Sequence, residues 1–191
     1  MRRLMFLRRV LGMLDAKDLR DPFRSQIISR AGMILHHRSG SARVATATGG
    51  TRSDWLMAAL LKAERGLTTV QLQKSLFVLG ERRKKLVGAG YYQFNPYNYG
   101  PFCRDIYDDA DKLRVNGLVD LDASRGHSTR EFRLTESGRA TAQQVVSSLP
   151  PDGVSYLAEV VAWAQSLSFN DLVRAIYEAF PSMKANSVFQ D

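Results

Sequence analysis

An aromatic stretch that no regular helix accommodates divides this chain. Gly88-Ala89-Gly90 interrupts a helical pattern, and YYQFNPYNYGPF follows over residues 91–102. Tyr91, Tyr92, Phe94, Tyr97 and Tyr99 interleave there with Asn, Pro and Gly. Proline lacks the N–H that a helix interior needs, and glycine weakens a helix entropically. The segment is therefore expected to run extended, turning at Asn95-Pro96 and again at Tyr99-Gly100-Pro101. Pro101 then suits the first position of the next helix.

The flanking sequence is mostly helical in period. Ser53 and Asp54 suit N-caps, and Trp55, Leu56, Ala59, Leu60 and Ala63 follow at helical spacing, with Gly66 just past the end. Thr68 or Thr69 caps a second helix carrying Val70, Leu72, Leu76, Phe77 and Leu79, with Glu81 to Lys85 as its charged end. Two helices joined by so short a turn begin a helix-turn-helix. The third helix is expected from Pro101 to about Asn116, with Phe102, Ile106, Ala110 and Leu113 on one face and Gly117 as its stop. Leu118 to Leu121 and Arg130 to Leu134 suit strands, joined by a polar tip over residues 122–129. Thr135 caps a helix reaching about Ser148. Two more follow, over 152–166 and 169–180, closed by Pro181. This order predicts a mainly α fold with a small β-hairpin (α+β): a winged helix-turn-helix core over 53–149 and a C-terminal helical extension over 150–191 packed on it.

The formal charge of +8 suggests nucleic acid until it is divided. Residues 1–52 hold 11 Lys+Arg against 3 Asp+Glu, whereas residues 53–191 hold 16 of each. The basic excess thus lies in the N-terminal quarter, and the body is neutral. Residues 1–52 read as a basic extension ending in a linker at Arg38 to Arg52. A phosphate- or lipid-touching arm and an Arg-rich targeting peptide compete with the plainest reading, a weakly structured upstream segment. No run of about 18 apolar residues occurs, so no membrane span is expected, and the localisation expected is cytoplasmic. Cys103 is the single cysteine. It excludes a disulfide framework and a multi-thiolate zinc site. His36 and His37 are adjacent, and His127 is distant, so no metal and no cofactor are expected.

Three segments together carry a family resemblance. LQKSLFVLGE, then FNPYNYGPFCRDIYDDADKLRVNGLV, then REFRLTESGR, resemble the winged helix-turn-helix family of YwgA-like proteins. They are also similar to the Panacea (SocA-like) antitoxin domain, in which a leucine- and lysine-rich helix precedes an aromatic-x-Tyr-Gly-Pro turn. LVRAIYEAFP near the C-terminus is consistent with both. The likeness spans about 120 residues from Trp55 onward, and Tyr99-Gly100-Pro101 is its most specific element. The antitoxin resemblance implies a protein partner, a toxin encoded nearby. The YwgA-like resemblance implies a regulatory role without a defined activity.

The function expected is therefore a non-enzymatic winged-helix adaptor or antitoxin-like protein that binds a protein partner. Tyr97, Tyr99, Gly100, Pro101, Phe102 and Arg104 are its candidate contact residues, because exposed tyrosine gives large contact area at low entropic cost. The alternative is a DNA-binding transcriptional regulator. Arg82, Arg83, Lys84 and Lys85 would then form one basic patch, and Arg125 and Arg130, with His127 and Arg133, a second on the wing. Against it, the third helix carries Asp105, Asp108, Asp109 and Asp111 with Arg104, Lys112 and Arg114, a net −1 where a groove-reading helix meets phosphate. Asp105, Asp108 and Asp109 share a helical face that could bind a cation or do acid–base work, yet nothing accompanies them, and a solvated face is the expectation. Cys103 is expected to be a buried structural residue. A homodimer stays open.

Overall fold

The computed structural model describes residues 50–122 and 130–190. The basic segment before Gly50, with His36 and His37, and the hairpin tip with Arg125 and His127 lie outside them.

The first helix, α1 (Arg52–Lys62), is capped by Thr51 rather than by Ser53 or Asp54. The Thr51 hydroxyl accepts from Asp54 N at 3.2 Å, and the Asp54 carboxylate accepts from Thr51 N at 2.7 Å. This reciprocal box satisfies two orphan donors at once, which neither expected cap could do. Gly66 is not the C′ residue: α1 ends at Lys62 with Ala63 as its C-cap, and Gln165 holds the following turn through Glu64 N (3.1 Å) and Arg65 O (3.2 Å). A two-residue strand, β1 (Leu67–Thr68), follows. Thr68 then caps α2 (Thr69–Arg82) in a second reciprocal box with Gln71. The helix breaks at Arg83 and resumes as a single turn, α3 (Lys84–Val87), so Glu81 to Lys85 is not one continuous end. The break lets neighbouring guanidinium groups reach different elements. Arg82 stacks on Phe180 at 5.0 Å and Arg83 on Tyr156 at 4.0 Å.

The aromatic segment is a hairpin of β2 (Asn95–Tyr97) and β3 (Gly100–Phe102), turning at Asn98-Tyr99. Asn95-Pro96 is therefore strand and not turn. Pro101 is strand too, and the next helix, α4 (Asp105–Val115), starts four residues later than expected. Pro96 and Pro101 stand opposite each other. A non-hydrogen-bonded site of an antiparallel ladder tolerates their missing donors, so two turn-forming residues fit a strand pair.

Gly117, at φ +70°, ends α4. β4 (Val119–Asp122) and β5 (Glu131–Leu134) pair antiparallel, and β1 joins the outer side of β5, giving the order β1-β5-β4. Thr135 caps α5 (Glu136–Ser148) by accepting from Gly138 N at 2.9 Å. Then come α6 (Pro151–Ser166), α7 (Phe169–Ala179) and a 3-10 turn at Pro181–Lys184. The fold is thus mainly helical with small antiparallel sheets.

One core unites these elements. Trp55 and Leu56 of α1, Leu72 and Leu76 of α2, Ile106 of α4, and Leu157 and Trp163 of α6 are all buried in it. α6 packs on both α1 and α2, so the C-terminal helices complete the core. Every residue of α2 from Leu72 to Gly80 is buried, including Gln73, Lys74 and Ser75. No helix among the described residues is long and apolar enough to cross a membrane.

Candidate functional site

The polar residues buried on α2 organise the site. The Gln73 side-chain amide accepts from Cys103 N at 3.0 Å and donates to Cys103 O at 2.8 Å. Next to it, Lys74 Nζ donates to Pro101 O at 3.0 Å. Two adjacent helix residues thereby take over the outer backbone groups of β3 and its exit. Such groups must be paired somewhere once buried. The lysine-containing helix and the Tyr-Gly-Pro turn, separate in sequence, are one contact in space.

Around that contact lies a cavity of about 140 Å³. Thr69, Gln73 and Lys74 contribute from α2, Tyr97, Tyr99, Gly100 and Phe102 from the hairpin, and Tyr107 from α4. Tyr97 packs on Phe102 at 5.1 Å between ring centres, and Phe102 on Tyr107 at 5.7 Å. Tyr99 meets Phe169 edge-on at 5.2 Å. Tyr97 and Tyr99 keep 52% and 43% of their surface exposed, and Phe169 keeps 44%. Gly100 sits at φ +94°, where a side chain is strained, and a Cβ there would touch Tyr177 and Lys74.

Lys74 is 4% exposed, and burial pushes its ammonium down from the ordinary lysine range to about 7. Desolvation is the cause, and no ion pair to Lys74 offsets it among the described residues. No feature of the sequence singles out Lys74 from the other lysines of the chain. A second hollow, of about 620 Å³ and more open, lies over Phe77, Tyr91 and Tyr92 with Lys84 and Lys85 on its margin. Its buried hydroxyls, on Tyr91 and Tyr92, are already spent on Leu76 O and Asp109.

The candidate contact residues divide accordingly. Tyr97, Tyr99, Gly100 and Phe102 come together round the cavity. Pro101 is joined to it only through the bond from Lys74 to its carbonyl, and Arg104 is exposed outside it. Among the candidate phosphate contacts, Arg82 and Arg83 lie on rings, and Lys84 pairs with Glu81 at 3.4 Å. Lys85 and Arg130 are exposed. Arg133 is engaged by Glu131 at 2.8 Å and Asp122 at 3.7 Å, a local neutralisation within the sheet.

The acidic face of α4 is solvated only in part. Asp109 is buried and Asp105 half-buried, with Asp108 and Asp111 exposed. Arg52 Nε reaches Asp109 at 2.7 Å, and Arg52 Nη1 pairs with Asp105. Asp109 also accepts from the Tyr92 hydroxyl (3.2 Å) and Lys112 (3.2 Å). Burial and the adjacent carboxylate keep the Tyr92 phenol protonated far above its ordinary range. These carboxylates tie the start of α1 to α4. No group of three His, Cys, Asp or Glu among the described residues could hold a metal ion. Cys103 is buried, and burial raises its thiol pKa, the opposite of what activates a nucleophile. No family model and no curated protein matches this chain.

Proposed function

We propose that this chain is a non-enzymatic, antitoxin-like adaptor of winged helix-turn-helix architecture that grips a protein partner with the face of the aromatic hairpin. The observation that carries the reading is the exposure of Tyr97, Tyr99 and Phe169 side by side above a preformed cavity. Aromatic side chains fixed by a rigid scaffold are the usual anchors of protein interfaces. The strand order β1-β5-β4, with α1, α2 and α4 preceding the β4–β5 hairpin, is consistent with the architecture. The test is a two-hybrid or co-purification assay of the full chain against products of adjacent reading frames, beside Tyr97→Ala/Tyr99→Ala. The expected result is one partner retained by the wild type and lost by a variant that melts normally. Absence of any partner, or full retention by the variant, would overturn it.

The topology also supports a second reading, a DNA-binding regulator. Exposed Asp108 and Asp111 on α4, and the stacking of Arg82 and Arg83 on rings, weigh against groove insertion. Steeply salt-dependent, sequence-selective binding to its own promoter region, lost on Lys85→Glu/Arg130→Glu, would favour this reading over the first.

A further inference from the structure

The hairpin cavity is small, aromatic-walled and built on a lysine. Its volume suits one side chain and falls well below the several hundred cubic ångströms of a cofactor or nucleotide site. A lysine amine carries up to three donors, and Lys74 spends one on Pro101 O. The ionisable groups facing this region are phenols: Tyr97, Tyr99 and Tyr107 at the cavity, and Tyr177 of α7 against Gly100. Lys184 lies over the Tyr177 ring at 5.8 Å. None is a carboxylate. A buried cation without a counter-charge is costly, so nature usually pairs it or neutralises it.

We propose that the cavity seats one carboxylate side chain, Asp or Glu, presented by the protein partner between Tyr97 and Tyr99 and paired with Lys74. This rests on the hairpin face being the docking surface. The neighbouring rings argue for a carboxylate on a short aliphatic stem: they cover the stem, and the amine takes the charge. The depressed lysine pKa fits the same picture. An arriving carboxylate favours the charged amine, which takes its proton from solvent, so the ion pair forms only when the partner's charge is there to hold it. Arg104, exposed at the start of α4, adds positive charge outside the cavity for an acidic segment to approach.

The probe is propionate, a Glu side-chain mimic, against its neutral isostere propionamide. Full-length protein labelled with 13C at lysine Cε is titrated with each by NMR. Propionate should move the Lys74 signal toward its protonated position at pH 7.5 and raise its apparent pKa by one or more. Propionamide should do neither, and Lys74→Met, which fills a similar volume, should remove the effect. Equal responses to both compounds, or no response to propionate, overturn the proposal. A partner assay separates this outcome from the docking face itself. If Tyr97→Ala/Tyr99→Ala loses the partner and folded Lys74→Met keeps it unweakened, the face stands and the carboxylate seat falls. A tenfold or greater loss with Lys74→Met, and a similar loss when one acidic residue of the partner is changed to its amide, supports the seat.

Discussion

Lys74 shows what burial does to a single residue. The unfolded chain titrates this amine near its ordinary 10.5, the native protein near 7. Between those values the unfolded state holds a proton that the native state lacks. Stability therefore climbs with pH through that window and is level for this group below it and above it, with a slope approaching about 1.4 kcal/mol per pH unit. Lys74→Met leaves Pro101 O without its donor, and it should flatten the difference in urea midpoint between pH 7.5 and 9.5. Parallel curves for variant and wild type would mean that water reaches the amine. Sequence alone could not flag the residue. A helix buried on all sides shows no polar face against which a lysine stands out. Gly100 was legible, because a glycine between Tyr99 and Pro101 marks a turn, and its left-handed φ is the conformation that such a position demands.

At the scale of elements, caps were legible in part: Ser53, Asp54, Gly66 and Pro101 do not bound helices as their residue types suggest. Thr68 and Thr135 both cap as their sequence context suggests, and β4–β5 forms where alternating residues flank a polar tip. What escaped was short or borrowed structure. β1 spans two residues and carries no period of its own, and it exists because β5 offers a free side. The β2–β3 strands hide behind two prolines. The junction of α5 with the sheet makes a sharper claim. A Cβ on Gly138 would stand 1.8 Å from Leu118 O, a backbone atom that already accepts from Thr135 N at 3.1 Å. Neither side can yield cheaply. Gly138→Ala should destabilise the protein by about 1–3 kcal/mol through overpacking, although alanine is the better helix former. A thermal melt unchanged, or raised, would show that α5 slides along the sheet instead.

Over the whole molecule, the acidic face of α4 proves to be a clasp. Arg52 spans 57 residues of sequence to reach Asp109, and read in sequence it looked like the end of the basic tail. Its partner lay in a run of aspartates that resembled any solvated helix. Neither could be recognised without the other, which is why the boundary at residue 53 cut through a structural pair. The described body begins no later than Gly50, with Thr51 and Arg52 inside it. Arg52→Ala leaves Asp109 buried with only Lys112 and a phenol, and should cost about 2–4 kcal/mol. Adding Asp109→Asn should recover part of that, a coupling that a double-mutant cycle measures directly. Additive effects of the two changes would mean that the clasp contributes no pairwise energy.

The two-stranded hairpin has one consequence at its margins. On β3, Lys74 and Gln73 occupy the outer backbone groups of the strand and its exit. On β2, the chain after the 3-10 turn comes back alongside: Asn186 Nδ2 donates to Pro96 O at 3.1 Å and Val188 N to Asn98 O at 3.0 Å. Both edges are closed by the protein's own residues. Strand-to-strand templating, the common route by which a small exposed sheet recruits peptides or polymerises with its copies, finds no ladder to extend. Whatever settles on this surface is read through side chains alone, so a helix, a loop or a folded domain can present the matching group equally well.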